Sequence, residues 1–294
     1  MIAGKRKKQG ASMQAFLELL KSVFFGVVEG ITEWLPISST GHMILLEEVL
    51  PMHFQTTGFW DFYLVAIQLG AICAVLLLFW NRIFPISFRE KPMIRKGVMA
   101  LWGKILVACV PAAIVGVLFD DLFNMLFYHP VPVSCALIGF GVLFLVVETV
   151  HRRKKVVPRV QRTEDITVRD AFLIGCFQLI AAVFPGTSRS GATILGGLLI
   201  GLSRTVAAEF TFYLAIPVMF GASLLKFLKS GFGFTPFELC SLGVGALTAF
   251  AVSMLCIRFL MGYIKRHDFC VFGWYRIVLG LLVLVLGITG VVLV

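Results

Sequence analysis

Residues 24–42 read FFGVVEGITEWLPISSTGH, an apolar segment that contains two carboxylates and then a proline followed by small hydroxyl residues. Glu29 and Glu33 are four residues apart, so a helix places both on one face. An acidic residue at the centre of a membrane helix costs about 2.5–3.5 kcal/mol on insertion scales. Such residues usually face protein or water, and we therefore expect this segment to form part of a functional site.

The same segment predicts a helix that is broken at membrane depth. Pro36 is expected to end the first helix, and the hydroxyls of Ser38, Ser39 and Thr40 can cap a second helix that runs through 43–50. Irregular backbone inside a bilayer is tolerated only where it is buried in protein or lines a wet cavity. We therefore predict a re-entrant hairpin rather than a simple span.

A second segment, AFLIGCFQLIAAVFPGTSRSGATILGGLLIG at 171–201, repeats this arrangement. A shift of 149 positions aligns Gly26 with Gly175, Glu29 with Gln178, Ile31 with Ile180, Pro36 with Pro185, Ser38 with Thr187 and Ser39 with Ser188. Inverted repeats with broken helices that meet near the midplane are a known membrane architecture. We predict repeat halves of about 13–150 and 170–294, joined by a basic cytoplasmic loop at 151–169.

The composition excludes an ordinary soluble domain. The 294 residues are 59% hydrophobic and 14% charged, and the mean hydropathy is +0.95. A hydrocarbon core of about 30 Å needs roughly 20 helical residues. Six apolar runs are long enough: 62–80, 101–119, 132–149, 207–228, 237–260 and 271–294. The prediction is a single all-α integral membrane domain over 1–294, with six transmembrane helices plus the two hairpins.

The formal net charge of +10 is read as a topology signal rather than as a nucleic-acid surface, because the basic residues lie in short loops. They form three groups: Arg82, Arg89, Lys91, Arg95, Lys96 and Lys104; HRRKK at 151–155 with Arg159 and Arg162; and Arg258, Lys265 and Arg266. The positive-inside rule places all three in the cytoplasm. Both termini then lie outside, with Glu47, Glu48, Asp61, Asp120 and Asp121, and the basic KRKKQG tail is the one misfit.

The remaining polar residues carry weaker signals. The seven cysteines are scattered singly and are expected to be packing residues. Gln68 and Glu209 are isolated in apolar runs, and each can either reach the polar cavity or hydrogen-bond a neighbouring helix.

Both breaks predict an anion site. Each offers a helix N-terminus flanked by hydroxyls, and Arg189 adds a forked cationic donor suited to phosphate. Ser39 and His42 are close enough along a helix for proton exchange, and Glu29 and Glu33 can hold a divalent cation or supply a base. This set of groups suits phosphoryl transfer. Simple helix caps, a structural histidine and a buried ion pair are the structural alternatives.

Two motifs resemble the signatures of undecaprenyl-pyrophosphate phosphatases, also called bacitracin resistance proteins: GVVEGITEWLPISSTGH at 26–42 and PGTSRSGATILGG at 185–197. The resemblance implies a hydrolase assisted by a divalent cation (Mg or Ca) that acts on undecaprenyl diphosphate in the bacterial plasma membrane. Its site would open to the outer face. Such an enzyme recycles the peptidoglycan carrier lipid and confers bacitracin resistance.

The resemblance also implies roles for individual residues. Glu29 and Glu33 match the acidic pair, Ser39 the nucleophile, His42 the acid/base partner and Arg189 the phosphate clamp. The signature hydroxyls that would line the phosphate pocket are Ser38, Thr40, Ser188, Ser190 and Thr193. A polyprenyl-phosphate flippase or transporter is the alternative function, because broken inverted repeats are common in transporters. Membrane lipid is the expected surrounding partner, and a homodimer is left open.

Overall fold

A computed structural model describes residues 2–86, 94–231 and 233–291, without the side chains of 2–12, 117, 120, 121, 124 and 230. Arg89 and Lys91, the side chains of Asp120 and Asp121, and those of the basic tail therefore lie outside the described residues.

The described chain is almost entirely helical. In order, its α-helices are α1 (Ile2–Thr32), α2 (Ser39–Val49), α3 (Phe59–Leu78), α4 (Trp80–Ile83), α5 (Lys96–Phe127), α6 (Pro130–Lys154), α7 (Val168–Val183), α8 (Arg189–Leu199), α9 (Arg204–Ser230), α10 (Pro236–Tyr263) and α11 (Cys270–Ile288). A short 3-10 helix, Thr163–Asp165, precedes α7. The described residues contain two isolated β-bridges and no β-strand.

Six of these helices are long and apolar enough to cross a membrane: α3, α5, α6, α9, α10 and α11. They correspond one to one with the six apolar runs. The prediction of an all-α polytopic membrane protein is therefore confirmed. Residues 292–294, at the end of the last predicted run, lie outside the described residues.

Polar contacts show which loops share a side of the helix bundle. Lys104 Nζ at the start of α5 donates to the Glu164 carbonyl at 2.8 Å. Arg152 at the end of α6 lies 3.9 Å from Asp268 before α11. The three basic groups thus gather at one side, which we call the basic face. At the other side, Glu238 of α10 accepts hydrogen bonds from the backbone before α3.

The two broken units, α1–α2 and α7–α8, are anchored at opposite sides. Lys21 of α1 donates to the Pro51 carbonyl just after α2 at 2.6 Å. At the basic face, Arg159 donates both to Asp170 at the start of α7 and to the Ile200 carbonyl after α8, at 2.6 and 3.3 Å. Each unit therefore begins and ends on the same side, which is compatible with two re-entrant hairpins of opposite orientation.

The packing of the two halves is reciprocal. Helix α1 packs on α10 and α7 packs on α5, so the broken unit of each half packs on a span of the other. The glycines that the repeat aligns make these close approaches. A Cβ at Gly26 would lie 2.5 Å from the Gly245 carbonyl, and one at Gly175 would lie 2.4 Å from that of Ala108. This symmetry is compatible with the predicted inverted repeat.

The predicted helix end in the first hairpin was wrong by one turn. Helix α1 ends at Thr32, and residues 33–37 form a turn rather than a continuation to Pro36. Proline lacks the N–H that would bond back to the preceding turn and disfavours helical backbone at the residue before it. As a result Glu33 lies in the break itself and not on the helix.

The repeat register also shifts by one residue at the breaks. Ser38 and Ser188 are the N-caps of two helices of equal length, 11 residues each. The structural correspondence there is Ser38 with Ser188, and Ser39 with Arg189. The sequence alignment had paired Ser38 with Thr187 because it was fixed by the prolines, which lie at different distances from the two caps.

Candidate active site

The two breaks are joined by a buried ion pair between Glu33 and Arg189. Arg189 Nη2 lies 2.9 Å from Glu33 Oε1, and the side chains are only 13% and 6% exposed. Ser39 Oγ donates to the other carboxylate oxygen, Glu33 Oε2, at 2.8 Å. Three residues that the sequence analysis selected therefore meet through one carboxylate, and both of its oxygens are engaged.

Further hydrogen bonds hold Arg189 in this orientation. Arg189 Nη1 donates to the Thr211 carbonyl of α9 at 3.1 Å. Thr193 Oγ1 donates to the Arg189 carbonyl at 2.9 Å, and the Thr211 hydroxyl bonds to that of Thr193 at 2.8 Å. Ser190 Oγ donates across the site to the Glu33 carbonyl at 3.0 Å. Ser190 thus joins the two breaks, and Thr193 joins α8 to α9.

Matched serines cap both second helices in an unusual backbone conformation. Ser38 has φ 74° and Ser188 has φ 69°, in a region that costs a non-glycine residue about 1–3 kcal/mol. Their hydroxyls accept hydrogen bonds from Gly41 N at 3.4 Å and Gly191 N at 3.1 Å. Each sharp turn starts a helix beside the Glu33–Arg189 pair, where free N–H groups favour an anion.

Several buried polar atoms at these helices have no partner among the described residues. Both carboxylate oxygens of Glu29 and both amide atoms of Gln178 are unbonded, as are Trp34 Nε1 and Thr187 Oγ1. Glu29 and Gln178 are 1% and 2% exposed, and they are the residues that the sequence repeat aligns. Buried polar groups normally have partners, so these atoms mark a place for water, an ion or a ligand.

Arg276 was missed by the sequence reasoning. It is fully buried on α11 and donates to Pro36 O of the first break at 3.3 Å. It also donates to Gly186 O and Thr187 O of the second, at 3.0 and 2.7 Å. Arg276 therefore connects the two breaks by donating hydrogen bonds to backbone carbonyls of both. Its signal was available, because it is the one charged residue in the apolar run 271–294.

His42 is oriented differently from the expectation. Its Nδ1 bonds to the Ser38 carbonyl at 2.7 Å and its Nε2 bonds to the Tyr275 hydroxyl at 2.7 Å. The two rings are also stacked, with centroids 5.6 Å apart. The group that contacts Ser39 is Glu33, so the structure offers a carboxylate rather than an imidazole as the proton acceptor for that hydroxyl.

The other selected residues are peripheral to this cluster. Thr40 and Gln68 are half-buried, and their side chains make no hydrogen bond with the described residues. Glu209 lies at the basic face, where Arg82 binds one carboxylate oxygen at 2.5 Å and Thr163 the other at 2.9 Å. Because both oxygens are engaged there, Glu209 follows the second of the two predicted alternatives, a hydrogen bond to a neighbouring helix, and its selection as a possible cavity residue is corrected.

Fold and site together define a polytopic membrane protein in which acid, hydroxyl and guanidinium groups from two broken helices form a buried polar cluster. The sequence profile of the family described as bacitracin resistance protein BacA matches residues 22–282. The chain belongs to this family.

Several curated relatives are similar over nearly the whole chain. A protein of Desulfitobacterium hafniense named undecaprenyl-diphosphatase is 56% identical over 92% of this chain and 96% of its own. Undecaprenyl-diphosphatase 1 of Clostridium acetobutylicum is 58% identical over 92% and 97%. The undecaprenyl-diphosphatase of Enterococcus faecalis is 54% identical over 92% and 98%.

We predict that Arg276→Met lowers the free energy of unfolding by about 2–4 kcal/mol, because three buried carbonyls lose a charged donor. Methionine keeps much of the side-chain volume, so lost packing contributes little. Thermal unfolding of the detergent-solubilised protein measures the effect. Arg258→Met, at an exposed position on α10, is the matched control and should leave the midpoint unchanged. Equal midpoints for the two variants would show that Arg276 does not hold the breaks together.

Proposed function

We propose that this chain is an undecaprenyl-diphosphatase, which hydrolyses the membrane-embedded lipid diphosphate to undecaprenyl phosphate and inorganic phosphate. The product is the carrier lipid of peptidoglycan synthesis, so the activity supports cell-wall formation and bacitracin resistance. Family membership and the names of its relatives support the substrate. The observation that carries the chemistry is the single carboxylate of Glu33, which contacts both a buried guanidinium and a hydroxyl.

Substrate binding begins at Arg189. A terminal phosphate carries more charge than a carboxylate and offers oxygens for a forked donor. It competes with Glu33 Oε1 for the guanidinium, while the N-termini of α2 and α8 supply backbone N–H groups. Arg189 stays paired throughout this exchange. It also releases Glu33 from its cation, which makes the carboxylate a better base for the Ser39 hydroxyl.

The chemical step uses the contact already formed between Ser39 and Glu33. Ser39 Oγ attacks the terminal phosphorus as Glu33 accepts its proton, and the anhydride P–O bond to the lipid phosphate breaks. The lipid monophosphate leaves and takes a proton from His42, which Tyr275 holds and which regains a proton from solvent. Glu33 releases its first proton to solvent, takes a proton from the water that attacks the phosphoserine, and returns it to Ser39 Oγ as inorganic phosphate leaves.

The residues present fit a divalent cation at Glu29. Its two buried oxygens have no donor among the described residues, whereas both oxygens of Glu33 are engaged. The described residues form no cluster of three or more histidine, cysteine or acidic side chains suited to a metal. Phosphate oxygens and water would complete the coordination of Mg or Ca. When bound, the cation neutralises charge on the diphosphate. Glu29 would hold it, with Glu33 adjacent.

The orientation follows from charge. The basic face carries the three basic loop groups, and the positive-inside rule assigns it to the cytoplasm of a bacterial plasma membrane. The α1–α2 unit, which carries Ser39 and Glu33, is anchored on the opposite side through Lys21 and Pro51. We therefore propose that the site opens to the outer face and that both termini lie outside.

We predict that Ser39→Ala, Glu33→Gln and Arg189→Met each reduce phosphate release from undecaprenyl or farnesyl diphosphate by at least about 100-fold. Each variant removes a group that acts in the transition state. Phosphate release is measured on the purified protein in detergent micelles. Ser223→Ala, whose buried hydroxyl bonds to the Val65 carbonyl, is the control and should keep wild-type activity.

Undiminished release by all three folded variants would remove the proposed site. A Ser39→Ala protein that binds the lipid diphosphate but releases no phosphate distinguishes this enzyme from a transporter, which needs no nucleophile.

We further predict that Glu29→Gln raises the Mg²⁺ concentration needed for half-maximal activity by at least about tenfold, because an amide is a weaker ligand than a carboxylate. Wild-type activity should disappear with a chelator and return with added Mg²⁺. The control is Glu47→Gln, since Glu47 bonds to Trp60 Nε1 instead. A Mg²⁺ dependence of Glu29→Gln that equals that of Glu47→Gln would rule out Glu29 as a ligand.

A further inference from the structure

A cavity of about 600 Å³ opens at the basic face. Its walls are the end of α6, the loop after α6, the junction of α8 and α9, and the loop between α10 and α11. Its charged lining residues include Arg152, Lys155, Arg204, Lys265, Arg266 and Asp268. This volume lies within the usual range for small-ligand pockets.

The cavity is separate from the candidate active site. Helix α8 begins at Arg189, in the active site, and reaches the cavity at Leu198. Nine residues of helix at 1.5 Å each separate the two by about 14 Å. None of the residues proposed for phosphate hydrolysis lines this cavity.

The cavity keeps a positive charge after the cations that form ion pairs with acidic residues are set aside. Glu148 neutralises Arg204 through two hydrogen bonds, at 2.8 and 2.5 Å. Asp268 lies 3.9 Å from Arg152. Lys155, Lys265 and Arg266 are exposed and form no ion pair with any described residue. At least three cations at this cavity are therefore available to an anion.

The lining combines these cations with apolar groups. Val156, Pro158, Leu198, Leu202 and Ile264 form an apolar wall. The polar side includes the start of α9, where Ser203 caps the helix by bonding to Val206 N. The backbone N–H groups of Arg204 and Thr205 have no intrahelical acceptor there, and a helix N-terminus adds favourable potential for an anion.

We propose that this cavity binds a phosphate ester, namely the head group of an anionic phospholipid from the leaflet at the basic face. The cations and the α9 N-terminus would hold the phosphate, and the apolar wall would contact the glycerol and the first acyl carbons. Basic pockets between transmembrane helices on the cytoplasmic side bind such head groups. Inorganic phosphate shares the charge but makes no use of the apolar wall.

Native mass spectrometry of the full-length protein in detergent tests the proposal. The protein is titrated with phosphatidylglycerol, with phosphatidylcholine and, separately, with phosphatidylglycerol in the presence of inorganic phosphate. The variant Lys265→Ala/Arg266→Ala removes two cations from the cavity. The matched control, Arg153→Ala/Lys154→Ala, removes two exposed cations of α6 that do not line it.

The wild-type protein and the control should bind phosphatidylglycerol at least about tenfold more tightly than phosphatidylcholine, and the cavity variant should lose that preference. Millimolar inorganic phosphate should leave the preference intact. The proposal is overturned if both double variants weaken binding equally, because general surface charge would then be responsible. It is also overturned if inorganic phosphate displaces the lipid, because the ligand would then be a soluble anion. Phosphate release by the cavity variant should stay at the wild-type level.

Discussion

The structure depends on one constraint, which is that backbone exposed by a broken helix inside a membrane must find its partners within the protein. Arg276 meets this need for both breaks, because one guanidinium binds Pro36 O, Gly186 O and Thr187 O. Ser190 adds a bond from the second break to the Glu33 carbonyl of the first. Arg276 and Ser190 therefore hold the two breaks together, and this convergence brings Glu33 to Arg189.

The same convergence explains why a buried ion pair is kept where an apolar contact would be more stabilising. Buried pairs gain little net free energy, because desolvation offsets their attraction. In the proposed function the pair exchanges one partner for a substrate phosphate, and the guanidinium is already desolvated and oriented when substrate arrives. The strained Ser38 and Ser188 caps and the unbonded Glu29 oxygens belong to this preorganised arrangement. Local strain and unpaired polar atoms of this kind are typical of functional sites.

Most of the fold could be predicted from the sequence, because hydrophobic length and charge asymmetry are local signals that a bilayer imposes. The acidic and basic members of the site were also visible, since each is costly in an apolar run. The residues that hydrogen-bond to these groups could not be predicted from the sequence. Tyr275 and Thr211 reach the site from distant helices through tertiary packing, and no spacing rule in the sequence marks them. Glu209 resembled a site residue for the same reason as Glu33, yet it lies against Arg82 because α9 places it at the basic face.

Cross-linking tests the central claim, the meeting of the two breaks at Glu33 and Arg189, most directly. In a background whose seven cysteines are replaced, Glu33→Cys and Arg189→Cys are combined with a protease site in the loop 151–169 and treated with a short bifunctional thiol reagent. The two halves of the Glu33→Cys/Arg189→Cys variant should stay joined after proteolysis, whereas the halves of the control variant, Glu33→Cys/Arg204→Cys, should separate. Separation of the halves in both variants would contradict the claim that the two breaks meet.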